Sequence, residues 1–149
     1  MAYKGRFIPK NPTKYKGNPT QIIYRSLWEL GVMRKFDENV NIIEWSSEEI
    51  IIPYFSPVDR AWHRYFPDFW VKMQDVTGQI KIKIIEIKPA SQSRPPEVKA
   101  RGSKPTKRYI TEIIAWEINN SKWKAATEYC TDRKWEFVVL TEKDLGIKW

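Results

Sequence analysis

The chain is poor in the residues that build several common kinds of site. Its single cysteine, Cys130, excludes an internal disulfide, and with His63 as the only histidine a Cys/His zinc site is effectively excluded too. No apolar run approaches the roughly 20 residues that a membrane span requires. The opening segment, MAYKGRFIPKNPTKYKG, is basic and broken by proline and glycine with no apolar stretch behind it, so it does not read as a signal peptide. Internal repeats and low-complexity tracts are missing as well. Together these absences predict a soluble protein of a reducing compartment with no membrane partner. A chain of 149 residues is expected to form one domain, 1–149, with a core large enough to fold without staples.

Positive charge is plentiful. The 26 Lys and Arg against 18 Asp and Glu leave a net charge of +8. Such a surface suggests a polyanionic partner, because neutralising phosphates releases condensed counterions; an ordinary basic protein would carry the same balance. Aromatics are also abundant, with eight tryptophans. Most are expected in the core and some could stack on bases, and for Trp116 and Trp123, at helical spacing, the core is favoured.

Residues 1–19 read as a basic arm, with Pro9, Pro12 and Pro19 and no periodicity. Thr20 suits an N-cap for a helix over TQIIYRSLWELGVMRKF. Wound at 100° per residue, that helix puts Ile22, Ile23, Leu27, Leu30 and Met33 on one arc. Glu29 falls inside the arc, between Met33 and Phe36, so a carboxylate turns toward the core. NIIEW and EIIIPYF read as strands, Pro53 marking an edge or bend. After the SPVD turn, RYFPDFWVKM and QIKIKIIEIK form an antiparallel hairpin across DVTG. PASQSRPPEVKARGSKPTK, 89–107, is a proline-broken basic loop. RYITEIIAWEINNSKWKAATEYCTDRK is helical with an expected break at Asn119–Asn120, and WEFVVLTE is a final buried strand followed by a short tail. The order predicts an α/β fold, a mixed central sheet flanked by helices.

In QIKIKIIEIK, period-two alternation puts Ile80, Ile82, Ile84, Glu86 and Lys88 on one face. By Ile84–Ile87 both faces are apolar, so Glu86 and Lys88 project side by side from the end of a strand that becomes central. Isolated buried charges are costly, and these two are tolerable as an ion pair or around a cation. The hairpin turn at Val76–Gly78 makes paired residue numbers sum to roughly 154, which sets Asp68 opposite Glu86. Two carboxylates placed so repel each other unless a divalent cation lies between them. Oxygen ligands with open positions suit Mg²⁺ or Mn²⁺.

Pro67-Asp68 followed by Glu86-Ile87-Lys88 resembles the PD-(D/E)XK nuclease signature, and the element order resembles the restriction-endonuclease-like αβββαβ core of that superfamily. HRYFPDFWV with IIEIKP is similar to its TnsA-like branch. The run AYKGRFIPKNPTKYKGNP, YRSLWE, IPYFSP, RYFPDFW, EIKP, INNSKWKAA and LTEKDLG resembles, essentially end to end, the head completion nucleases of large contractile-tailed phages. This resemblance implies a metal-dependent DNA endo- or exonuclease that processes packaged DNA for head completion and head–tail joining. It would work in the host cytoplasm during assembly or stay with the virion, beside head and neck proteins. By the same resemblance Asp68 and Glu86 bind the metal with the Ile87 carbonyl. Glu29 completes the shell directly or through water, and Lys88 orients the attacking water or stabilises charge on the phosphate.

The basic loop carries Arg94, Lys99, Arg101, Lys104 and Lys107, followed by Arg108, and is expected to clamp the DNA backbone unless it is simply a solvated loop. Arg64 is counted with these cations. His63, five residues before Asp68, is either a phosphate contact or support for the site, or a packed loop histidine. The N-terminal arm could contact DNA or dock on another virion protein. Glu48 and Glu49 read as capping or solvent-facing acids. Two other functions stay open: a non-catalytic DNA-binding adaptor of the head–tail neck, and a TnsA-like transposase endonuclease, disfavoured by the short chain.

Overall fold

A computed structural model describes residues 3–97 and 104–145. Its elements run β1 (Gly5–Phe7), β2 (Ile22–Tyr24), α1 (Leu27–Glu38), β3 (Ile42–Ser47), β4 (Ile52–Ser56), β5 (Ala61–Tyr65), β6 (Phe69–Gln74), β7 (Ile80–Ile87), α2 (Lys107–Arg133), β8 (Glu136–Leu140) and α3 (Glu142–Leu145). Single 3₁₀ turns occupy Pro12–Lys14 and Ala90–Gln92.

The central sheet has the order β3-β6-β7-β8. β6 and β7 form the expected hairpin, in register Phe69 to Ile85 and Gln74 to Ile80, closed by the Asp75 carboxylate, which accepts from the N–H groups of Thr77 and Gln79. β8 runs parallel to β7, which requires a crossover, and α2 supplies it. β7 is therefore central, with β6 antiparallel on one side and β8 parallel on the other. This is the α/β fold with a mixed sheet and flanking helices.

Alternation along β6 and β7 builds one core on each side of the sheet. Phe69, Val71 and Ile85 join Trp45 and the α1 residues Val32, Met33 and Phe36. Trp70 and Ile84 face the other way, onto Ala126 and Cys130 of α2 and onto Ile52, Tyr54 and Tyr65 of the β4–β5 ribbon.

Several elements depart from the sequence expectations. The first helix begins at Leu27, not after Thr20. Ser26 is extended and its hydroxyl accepts from the Glu29 N–H, so Ser26 is the N-cap. Thr20 instead bonds the Asn18 side chain, and Ile22–Tyr24 pairs with Gly5–Phe7. Leu27 is consequently exposed, and the core face of α1 is Trp28, Val32, Met33 and Phe36.

The N-terminal arm is structured over much of its length. Phe7 and Tyr15 are core residues, and Asp37 of α1 holds the arm by accepting from the backbone N–H groups of Lys10 (2.8 Å) and Asn11 (3.0 Å). RYFPDFWVKM is two strands in different sheets. Pro67 offers no N–H to a ladder, and around it the chain leaves the ribbon and enters the central sheet. α2 runs unbroken through Asn119–Asn120. The helix penalty of asparagine is only about 0.7 kcal/mol, and the Trp116–Trp123 contact (5.9 Å between ring centroids) spans the position while Ile118 and Trp123 pack on the sheet. β8 is a half-buried edge strand rather than a fully buried one.

Candidate active site

Asp68 is the residue on which the site turns. It stands between Pro67 and the first residue of β6. Its carbonyl accepts from the Glu48 N–H at 3.1 Å, and its Oδ2 accepts from the Ile87 N–H at 2.7 Å. The end of β7 therefore fixes the carboxylate across the hairpin, as the pairing register requires. Burial raises the pKa of Asp68 above the usual carboxylate range, with the Ile87 hydrogen bond and the Lys88 charge opposing.

Glu86 is buried in β7, and its Oε2 accepts from the Tyr65 hydroxyl at 2.8 Å. Burial, followed by the neighbouring Asp68 charge, pushes its pKa up to about 8 against the pull of Tyr65, Lys88 and Lys122. Lys88 is partly buried, two residues further along the same face, and its N–H donates to the Leu140 carbonyl of β8 at 3.0 Å. Just beyond, the Glu142 carboxylate accepts from the Ala90 N–H at 3.0 Å, holding the chain as it leaves the motif.

Glu29 approaches from the first turn of α1. Ser26 and Glu29 form a reciprocal cap: Glu29 N–H donates to the Ser26 hydroxyl, and that hydroxyl donates to Glu29 Oε2 at 3.3 Å. Glu29 Oε1 is buried with no hydrogen-bond partner. Burial, then the charges of Asp68 and Glu48, raise its pKa to about 7. Asp68 thus acts electrostatically on both Glu86 and Glu29. The three acids do not meet at one point; among the described residues no three His, Cys, Asp or Glu side chains are close enough to hold a metal ion between them.

Three residues of this region escape the sequence reading. Tyr65 comes from the ribbon and Lys122 from the middle of α2. The Lys122 ammonium lies 5.6 Å from the centre of the Tyr65 ring and 5.8 Å from that of Tyr54, and burial lowers its pKa while Glu86 opposes the shift. Glu48, expected to be a capping or solvent-facing acid, instead presses on Glu29 and Asp68 and is forked by the Arg25 guanidinium at 3.1 Å. Its backbone φ of 55° puts it in the left-handed region, and its N–H is the one bonded to Asp68. Period-two patterning could have exposed only Tyr65, on the inward face with Ile52 and Tyr54.

The candidate DNA contacts are scattered. His63 lies on β5 rather than in a loop, stacked on Tyr54 at 5.7 Å and paired with Asp59 at 2.6 Å. Arg64 stands over the Phe66 ring at 5.8 Å. Arg94, Lys104, Lys107 and Arg108 are exposed; Lys107 and Arg108 begin α2, and Arg108 pairs with Glu112. Lys99 and Arg101 lie outside the described residues.

The donor set suits a hard divalent cation. It consists of carboxylate oxygens, one of them a buried atom without a partner, and a cation near Asp68 would offset the burial and the like charges that raise the pKa of Glu86 and Glu29.

Residues 39–142 match the family described as TnsA-like endonuclease N terminal. The matched span contains Asp68, Glu86 and Lys88, whereas Glu29 precedes it. Over 146 residues the chain is 42% identical to the head completion nuclease of Enterobacteria phage T4, covering 97% of this chain and 95% of that protein.

Proposed function

The chain belongs to the TnsA-like endonuclease family, and on that premise we propose that it is a Mg²⁺- or Mn²⁺-dependent DNA nuclease acting in phage head completion. One observation carries the reading: Asp68, fixed by the Ile87 N–H at 2.7 Å, stands across the hairpin from buried Glu86 with Lys88 on the same strand end, and burial followed by the Asp68 charge raises the pKa of both Glu86 and Glu29. A plain sheet gains nothing from such repulsion, whereas phosphodiester hydrolysis needs converging oxygens and a cation.

A bound divalent cation supplies the offset of phosphate charge and a more acidic water. The protein's own groups prepare the rest. Asp68, Glu86, the Ile87 carbonyl and Glu29 present oxygen ligands from three segments of chain. Lys88 places an ammonium beside them, where it orients the attacking water or compensates charge on the attacked phosphate. Tyr65 orients the Glu86 carboxylate by donating its hydroxyl to Oε2. Arg94, Lys104, Lys107 and Arg108, together with Lys99 and Arg101, provide backbone contacts that position DNA without reading its sequence. The product would be packaged DNA trimmed for tail attachment, in the host cytoplasm and beside head or neck proteins. No helix among the described residues is long and apolar enough to cross a membrane.

The test is direct. Linear and plasmid DNA are incubated with wild type, Asp68→Ala and Lys88→Ala, with Mg²⁺, Mn²⁺ or chelator. Cleavage by wild type alone, abolished by chelator, is expected. DNA left intact by wild type in both metals, yet bound, would assign the adaptor role instead.

A further inference from the structure

We propose that the outer face of the β4–β5 ribbon is a stacking platform for an unpaired DNA strand, with Trp62 as the principal ring. The identity of the polymer rests on the nuclease reading above; the platform itself rests on the ribbon.

β4 and β5 pair with each other in a two-stranded sheet separate from the central one, in the register Phe55 to Trp62 and Pro53 to Arg64. Alternation sends Ile52, Tyr54 and Tyr65 inward onto α2 and the central sheet. The opposite face presents Phe55, 48% exposed, and Trp62, 71% exposed, in an edge-to-face pair at 5.6 Å. Phe66, 43% exposed, follows with the Arg64 guanidinium over its ring. Large rings normally contribute by being buried, so three exposed in one patch mark an interaction surface.

Charge selects the partner. A cavity of about 520 Å³ lies beside the patch, lined among others by Trp62, Phe66, Tyr54, His63, Arg64 and Lys122, and no carboxylate is among the described residues that line it. Asp59 is paired with His63 at 2.6 Å, and the acids Glu128 and Asp132 line a separate cavity that Trp62 also borders, where Lys124 and Arg133 accompany them. Rings for bases beside cations for phosphates are what a sequence-tolerant single-strand groove contains. Lys122 links the cavity to the reaction site: it lines the cavity, its ammonium lies 5.6 Å from the centre of the Tyr65 ring, and the Tyr65 hydroxyl donates to Glu86. A strand whose bases lie on Trp62 and Phe66 has its backbone beside Arg64 and Lys122, leading toward Glu86 and Lys88. Duplex DNA hides its base faces, so only frayed, nicked or flapped ends can use the platform.

Binding is measured in chelator, so that cleavage plays no part, by anisotropy of a labelled single strand of about 20 nucleotides, the same strand without bases, and the blunt duplex. Wild type is expected to bind the single strand. Trp62→Ala should weaken that binding about tenfold relative to any change on duplex, as loss of one base–aromatic stack predicts. Trp62→Phe should retain most of it, and Trp62→Leu, which keeps bulk without an aromatic face, should behave like Trp62→Ala. The abasic strand should bind wild type as weakly as the normal strand binds Trp62→Ala. Equal effects of Trp62→Ala on single strand and duplex would overturn the platform, as would tight binding of the abasic strand. Wild type that binds neither oligonucleotide would also overturn it and leave the aromatic face to a protein partner. Such a protein that still cleaves DNA in Mg²⁺ keeps the nuclease reading while losing the platform.

Discussion

Asp37 and Glu29 lie about two turns apart on α1, both buried, in opposite circumstances. Asp37 accepts from the N–H groups of Lys10 and Asn11, and its own carbonyl accepts from the Asn11 amide at 2.9 Å and the Lys14 ammonium at 3.0 Å. Each contact ties the N-terminal segment to the end of the helix. Glu29 has one side-chain oxygen bonded to Ser26, the other unpartnered, and two like charges pressing on it. Burial alone therefore does not separate an acid that the fold satisfies from one proposed for the site. The distinction lies in whether the surroundings satisfy the carboxylate or leave part of its capacity open.

The largest way to test that contrast is at the common neighbour of the site acids. Asp68→Asn keeps the shape of the side chain and removes the charge, so cleavage in Mg²⁺ should fall on the order of a thousandfold or more. The melting temperature in chelator should hold or rise, since a source of repulsion is gone. A fall in stability matching the loss of rate would make Asp68 a structural acid like Asp37.

The two α1 acids should then respond as mirror images. Glu29→Gln is expected to lower cleavage on the order of a hundredfold with little loss of stability. Asp37→Ala should cost about 1–2 kcal/mol of stability, because it leaves two part-buried backbone N–H groups without their acceptor, and the molecules that remain folded should cut normally. Chemical denaturation and single-turnover cleavage, run on both variants, separate the outcomes.

pH sharpens the same contrast. The ordinary carboxylate value of 4.5 rises to about 7 for Glu29 and about 8 for Glu86 in the folded chain. The folded state thus holds protons that the unfolded state has released. The stability these two groups contribute is complete below about pH 4.5 and is lost as pH climbs through about 7 and then about 8. Melting temperatures in chelator should decline across that window, and Glu29→Gln should flatten its lower part. Added Mg²⁺ should stabilise more at the alkaline end, where it no longer competes with protons. A wild-type profile that Glu29→Gln leaves unaltered would remove Glu29 from the groups that titrate in this window.

Much of this arrangement is legible in the sequence, for reasons that differ by element. The β6–β7 register follows from turn position, because a tight turn leaves one pairing, and Phe69 indeed meets Ile85. Glu29 reads as inward even from a helix begun too early, since the phase between Glu29, Met33 and Phe36 does not depend on the start. Three-residue strands such as β1 and β2 are too short to show a period, so the N-terminal segment reads as an arm. Tyr65 and Lys122 reach Glu86 through tertiary folding of a separate ribbon and of the crossover helix. No local spacing relates them to the motif.

The smallest expected effect concerns Glu48, which stands between the two kinds of acid. Its side chain is partly exposed and paired with Arg25, yet its charge acts on both Glu29 and Asp68. Glu48→Gln leaves the backbone N–H bonded to the Asp68 carbonyl and removes only the charge. The lost pair with Arg25 should cost less than about 1 kcal/mol, as exposed ion pairs do. Glu29 should then titrate lower than in wild type, because one of the charges opposing its ionisation is gone, while cleavage changes by no more than about twofold. Carboxyl NMR titration reads the first effect and a rate assay the second. An unmoved Glu29 midpoint would leave its raised value to burial and Asp68 alone. A rate loss as large as that of Glu29→Gln would instead make Glu48 an oxygen ligand of the site.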